Sequence, residues 1–167
     1  WLIKSGKPSA LSQFRLSDNY LRFYLKYIQK NQDRIIRTGF VPGWNAILGL
    51  QFENLVLKNR KKIWAALGIK PEDIVADNPY FQRKSTSKPG YQIDYLIQTR
   101  FNTLFACEIK FSAHPIETRV IEEVKTKIER IGLPKRFSCW PVLIHINGVS
   151  ESLENSGYFS HLVDFSL

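Results

Sequence analysis

Methionine is missing from this sequence altogether, although the chain has 167 residues and opens Trp1-Leu2-Ile3-Lys4. A translation product starts with Met, so the chain is expected to be a piece of a longer protein. No run approaches the roughly 18 apolar residues of a membrane helix, so a spanning role is excluded and no membrane partner is expected. No signal-peptide pattern is visible. Two cysteines, Cys107 and Cys139, are too few for a disulfide framework or a zinc site. Both sit in apolar runs and read as small hydrophobes in a reducing compartment, so a cytoplasmic setting is expected. The three histidines, His114, His145 and His161, lack partners at metal-ligand spacing. Internal repeats and low-complexity segments are absent.

What is abundant is positive charge, and it is unevenly placed. The net charge is +9. Residues 1–40 carry 8 basic and 2 acidic residues, and residues 41–90 carry 8 and 4. Residues 91–130 are balanced at 6 and 6, and residues 131–167 carry 2 and 3. The excess therefore lies in the first 90 residues. Such an excess suits nucleic acid as partner. Plain solubility, or an acidic neighbouring domain, would also explain it.

The pattern along the chain predicts helix, strand hairpin, helix, strand. Residues 11–16 read as a short strand, and Ser17 or Asp18 as a helix N-cap. A helix follows over 19–30. Its face of Tyr20, Phe23, Tyr24, Tyr27 and Ile28 lies beside a basic stripe of Arg22, Lys26 and Lys30; the pair suggests nucleic-acid contact, but aromatics at helical spacing read first as a packing face. Gly39, Pro42 and Gly43 break the chain. A long helix is expected over 44–67, closed by Gly68. Strands are expected over 79–84, 91–99, 103–111 and 137–147. Residues 85–90 and 100–102 read as turns. Residues 115–131 read as a helix crossing over to a parallel strand. The tail from Val149 is weakly patterned. Trp1, Trp44, Trp64 and Trp140 read as core or interface anchors. The fold class is α/β: a mixed sheet flanked by helices, with an N-terminal helical arm.

The predicted hairpin carries charges among apolar residues. Strand period two puts Phe105, Cys107, Ile109 and Phe111 on one face and Ala106, Glu108 and Lys110 on the other. Asp94 shares its face with Gln92 and Leu96. A suitable register brings Asp94 to Glu108, with Lys110 one step along. Two close carboxylates raise each other's proton affinity unless a cation intervenes. Mg²⁺ (or Mn²⁺) is the natural cation for oxygen-only ligation completed by water and phosphate. A lysine beside it can orient water or steady a phosphate. Asp94, Glu108 and Lys110 are thus candidate catalytic residues for phosphodiester hydrolysis. An ordinary surface face with Glu–Lys pairs has the same composition.

Four stretches also carry a resemblance. They are Phe14-Arg15-Leu16-Ser17-Asp18-Asn19-Tyr20-Leu21-Arg22-Phe23-Tyr24, Gln51-Phe52-Glu53, Gly90-Tyr91-Gln92-Ile93-Asp94 and Cys107-Glu108-Ile109-Lys110-Phe111. Together they resemble the C-terminal region of a family of archaeal and bacterial P-loop ATPases. In that family an ATPase module and a winged helix precede a domain similar to PD-(D/E)xK nucleases. The resemblance implies a restriction-endonuclease-like fold over residues 41–167. It implies that residues 1–40 hold a remnant of the winged-helix hairpin and a connecting helix. It implies Glu53, Asp94 and Glu108 as metal ligands and Lys110 as the motif lysine. Gln92, Lys125 and Lys127 are further candidates. Where the motif's name calls for proline, this chain has Tyr91-Gln92-Ile93 before Asp94. No Gly-rich loop ending Gly-Lys-Ser/Thr occurs, so no ATP site is expected here. The expected partners are DNA and the upstream ATPase and winged-helix domains. Lys58, Arg60, Lys61, Lys62, Arg83, Lys84 and Lys88 are the candidate contacts to the nucleic-acid backbone.

Overall fold

The computed structural model describes all residues except 10–15, 17, 40–42, 85, 87, 88 and 167. The predicted strand at 11–16, the Ser17 cap, Pro42 of the chain break, Lys88 and part of the 85–90 turn therefore lie outside the described residues. So does part of the first resemblance stretch.

The arm begins with α1 (Asn19–Phe23), capped by Asp18, whose Oδ1 accepts from the Leu21 amide at 2.6 Å. A π-helical turn (Tyr24–Ile28) joins it to α2 (Gln29–Thr38). The arm is thus longer than the expected 19–30, and Gly39 ends it at φ 64°. Its aromatic stripe is not a core face: none of the residues of α1 or the π turn is buried, and Tyr20 is 73 % exposed. Tyr20 stacks on Tyr24, and Phe23 meets Trp44 edge-on. Two side-chain bonds tie the arm to the next helix. Arg22 donates to Asn54 Oδ1, and Gln51 Nε2 donates to the Asn19 carbonyl.

The expected 44–67 helix is two helices, α3 (Trp44–Lys58) and α4 (Arg60–Ala66). Asn59 separates them at φ −109°, ψ 30°. Its side-chain amide donates to the Leu55 carbonyl at 2.8 Å, sharing that acceptor with its own backbone N–H at 3.1 Å. Next comes β1 (Ile74–Gln82), which starts earlier than the predicted 79. Then follow β2 (Tyr91–Thr99), β3 (Thr103–Lys110), α5 (Arg119–Ile131) and β4 (Ser138–His145). The turn at 100–102 is present, with Asn102 at φ 58°. The predicted helical start at 115 is displaced because Ile116 instead bridges to Val149 in a parallel pair. The weakly patterned tail holds two elements, α6 (Glu151–Asn155) and β5 (His161–Asp164). Ser150 caps α6 through the Leu153 amide.

These strands form one five-stranded mixed sheet in the order β1-β2-β3-β4-β5. The first two pairings are antiparallel and the last two parallel. Helix α5 makes the crossover between parallel β3 and β4, as the pattern predicts. Burial follows the period of two. Tyr95, Ile97, Cys107, Ile109, Val142 and Ile144 form one core with Phe52, Val56 and Ile63 of α3 and α4. On the opposite face Leu96, Leu104 and Ala106 pack with Ile131, while Leu143 packs with Val120, Val124 and Leu153. Ile3 joins the second face, and the Trp1 indole donates to Gln98 Oε1 at 2.8 Å. Cys107 is buried and Cys139 half-buried. Trp1 and Trp64 are tied into the fold by hydrogen bonds, whereas Trp44 and Trp140 are 49 % and 47 % exposed and are not core anchors. Among the described residues no helix is long and apolar enough to cross a membrane.

Candidate active site

Pairing fails around Asp94 on both edges of β2. Toward β1, the register runs Asn78↔Leu96 and then Tyr80↔Ile93. Two residues, Asp94 and Tyr95, therefore oppose one, Pro79. Proline has no N–H for the ladder, so a bulge in the pairing fits its presence on an edge strand. Toward β3, the ladder ends at Tyr95↔Cys107. Carrying that register one step further sets Asp94 across from Glu108. The Asp94 side chain fills the gap: its Oδ2 accepts from the Ile109 amide at 3.0 Å. The opening between two strands is thus held by a carboxylate.

Glu108 is only 4 % exposed, and both its oxygens are held by ammonium groups. Lys110 Nζ lies 3.1 Å from Oε1, and Lys127 Nζ lies 2.5 Å from Oε2. Lys110 also donates to Glu123 Oε2 at 2.7 Å. Two elements build this chain of charges. On β3, Glu108 and Lys110 are two apart and share a face. On α5, Glu123 and Lys127 are four apart and share a helical face. The amphipathic docking of α5 through Val120, Val124 and Ile131 brings the two together.

The electrostatics follow from this packing. Burial pushes the Asp94 carboxyl up to about 6, and the Glu108 charge adds to it. Lys127 and the Ile109 amide oppose that rise, and Glu53 contributes to it through its charge. Burial works against the Lys110 cation, but its bonds to Glu123 and Glu108 outweigh this and raise its pKa. Glu123 is lowered chiefly by its hydrogen bond from Lys110. The β3–β4 register also places His145 beside Lys110. It is buried, and burial favours its neutral ring.

A groove of about 650 Å³ runs between the arm and the sheet. Arg22 and Lys26 of the arm line it, with Glu53 and Lys58 of α3, Arg60 of α4 and Gln92 of β2. Glu53 thus borders the groove while its charge reaches Asp94.

The predicted residues are not all placed together. Asp94, Glu108, Lys110 and Lys127 form one cluster. Glu53 and Gln92 line the adjacent groove. Lys125 is exposed, roughly 200° around α5 from Lys127. Lys58 is an exposed groove residue. Arg60 lines the groove, yet its Nη1 is 3.1 Å from Asp77 Oδ2 and also donates to the Asp77 carbonyl. Its first role is structural. Lys62 lies over the Phe165 ring and lines a different, smaller cavity. Lys61, Arg83 and Lys84 are exposed and do not line the groove. Sequence reasoning missed Glu123, whose signal is its position one turn before Lys127. It weighed nucleic-acid contact for the stripe that holds Arg22 and Lys26 and preferred a packing face, so neither stood among the candidate contacts.

Among the described residues, no three His, Cys, Asp or Glu side chains are gathered as a ready-made metal ligand set. No protein-family model, curated protein or solved structure matches this chain.

Proposed function

We propose that residues 41–167 form a restriction-endonuclease-like domain that hydrolyses phosphodiester bonds in DNA with Mg²⁺ or Mn²⁺. The carrying observation is the meeting of Asp94 and Glu108, with Lys110 beside them, where β2 and β3 part. The donor set fits a hard cation. Asp94 is a half-buried carboxylate that holds a proton more tightly than usual. A site in that condition exchanges its proton for a divalent metal, and oxygen donors suit Mg²⁺ and Mn²⁺. When bound, such a metal polarises the phosphate and lowers the pKa of a water.

The chain's own residues do the remaining work. Asp94 and Glu108 hold the metal, with Glu53 as an outer carboxylate. Lys110, anchored by Glu123, directs its ammonium to the attacking water or the phosphate. Lys26 and Lys58 hold the backbone along the groove, where counter-ion release drives binding. Following the resemblance, the ATPase and winged-helix domains of a longer parent are the protein partners.

A second reading has its own observation. Both Glu108 oxygens are satisfied by lysines. That arrangement suits an idle DNA-binding or protein-docking module that regulates the ATPase. Incubation with supercoiled plasmid and single-stranded DNA, with Mg²⁺ or Mn²⁺, separates the two. Cleavage lost in Glu108→Ala supports hydrolysis. Binding without cleavage supports the idle DNA module. Neither binding nor cleavage sinks both DNA readings and leaves protein docking.

A further inference from the structure

The two lysines on Glu108 are not equivalent. Lys110 belongs to the sheet and shares its ammonium between Glu108 at 3.1 Å and Glu123 at 2.7 Å. The shorter bond is to Glu123. Lys127 comes from a helix and makes the closer contact to Glu108, at 2.5 Å. Its side chain is 26 % exposed, so a route to solvent is open. Lysine carries a compact charge on a flexible stem, which can move without disturbing the backbone. Glu108, at 4 % exposure, cannot remain buried and ionised without a cation.

We propose that Lys127 is the resident counter-ion of Glu108: its ammonium holds the carboxylate oxygen that a divalent cation takes, so loading the site requires Lys127 to swing away. The proposal rests on the metal-centre reading above and adds its regulation. The carboxylate is kept folded and neutralised in the metal-free chain by Lys127. Metal affinity is correspondingly weakened, because each binding event must displace one positive charge. Once displaced, Lys127 remains beside the site as a cation available to a substrate phosphate. Lys110 does not play this part, because Glu123 and β3 fix it in place.

Mn²⁺ titration by calorimetry on the full chain tests this without any DNA. Lys127→Met should bind Mn²⁺ at least about tenfold more tightly than wild type, the lower end of what a unit charge within 4–6 Å contributes. Lys127→Arg, which keeps the charge, should bind as wild type does. Equal or weaker binding by Lys127→Met overturns the proposal while leaving the metal centre intact. No Mn²⁺ binding by wild type or by Lys127→Met overturns the metal centre and the proposal together. The wild-type chain gives a second measurement that needs no folded variant. The ¹⁵N-lysine ammonium resonance of Lys127 should shift on saturation with Mg²⁺, and an unmoved resonance at saturation overturns the proposal.

Discussion

Asp94 Oδ2 accepts the amide hydrogen of Ile109 at 3.0 Å, across the point where the β2–β3 ladder has already ended. The side chain does what a backbone carbonyl does in a continuous ladder. It also brings a carboxylate against Glu108 at a cost, since burial and the Glu108 charge raise its pKa to about 6.

That cost sets a pH dependence. An unfolded Asp releases its proton near pH 3.9, whereas folded Asp94 keeps it to about pH 6. Across this window the unfolded chain binds fewer protons, so the folded state loses stability as pH rises, by about 3 kcal/mol in all. Asp94→Asn keeps an acceptor for Ile109 and cannot titrate. Urea unfolding of both proteins should show the variant gaining on wild type between pH 4 and 6.5, with no further gain above. Parallel stability curves would contradict the assignment.

A second buried network ties α4 to the sheet. The Tyr95 hydroxyl donates to Asp77 Oδ2 at 2.7 Å and accepts from the Trp64 indole at 2.8 Å. Arg60 closes the set on Asp77. Tyr95→Phe leaves the Trp64 indole N–H without its acceptor, while Asp77 keeps Arg60, a loss of about 1–3 kcal/mol. Chemical denaturation should record that loss, and Mn²⁺ binding at the proposed centre should be unchanged. Arg60→Ala should likewise lower stability more than it lowers DNA affinity.

The groove predicts a division among the basic residues. Lys26→Glu and Lys58→Glu should each weaken binding to DNA of any sequence and reduce the slope of log affinity against log salt by about 1 or more. Lys62→Glu, on a different cavity, should change neither by comparable amounts. Fluorescence anisotropy at several salt concentrations measures all three. Equal effects from Lys62 and Lys58 would remove the groove from the binding surface.

How far the sequence reached can be traced residue by residue. The β2–β3 hairpin was readable because two short apolar runs, 91–99 and 103–111, flank Arg100-Phe101-Asn102, which is turn-like. Its register then follows from geometry, and Asp94 and Glu108 meet. The start of β1 was not readable, since Pro79 looks like a beginning when it sits at a bulge of an edge strand. At the break, the Asn59 side chain folds back onto the Leu55 carbonyl and Arg60 turns to Asp77, a residue 17 positions away, a contact no local pattern encodes. Lys127 stood among the candidates only as a residue on the right helix. Its grip on Glu108 depends on how α5 docks, which no local pattern encodes. The arm's aromatics are half-buried at Phe23, Tyr24 and Tyr27 and open at Tyr20, because periodicity reports a face without saying how fully it is covered.

Anomalous diffraction from crystals soaked in Mn²⁺ would test most directly whether Asp94 and Glu108 form a divalent-metal centre. The expected result is a manganese peak between the two carboxylates, lost in Glu108→Ala. A saturated soak with no peak there, and with Lys127 still seated on Glu108, would contradict it.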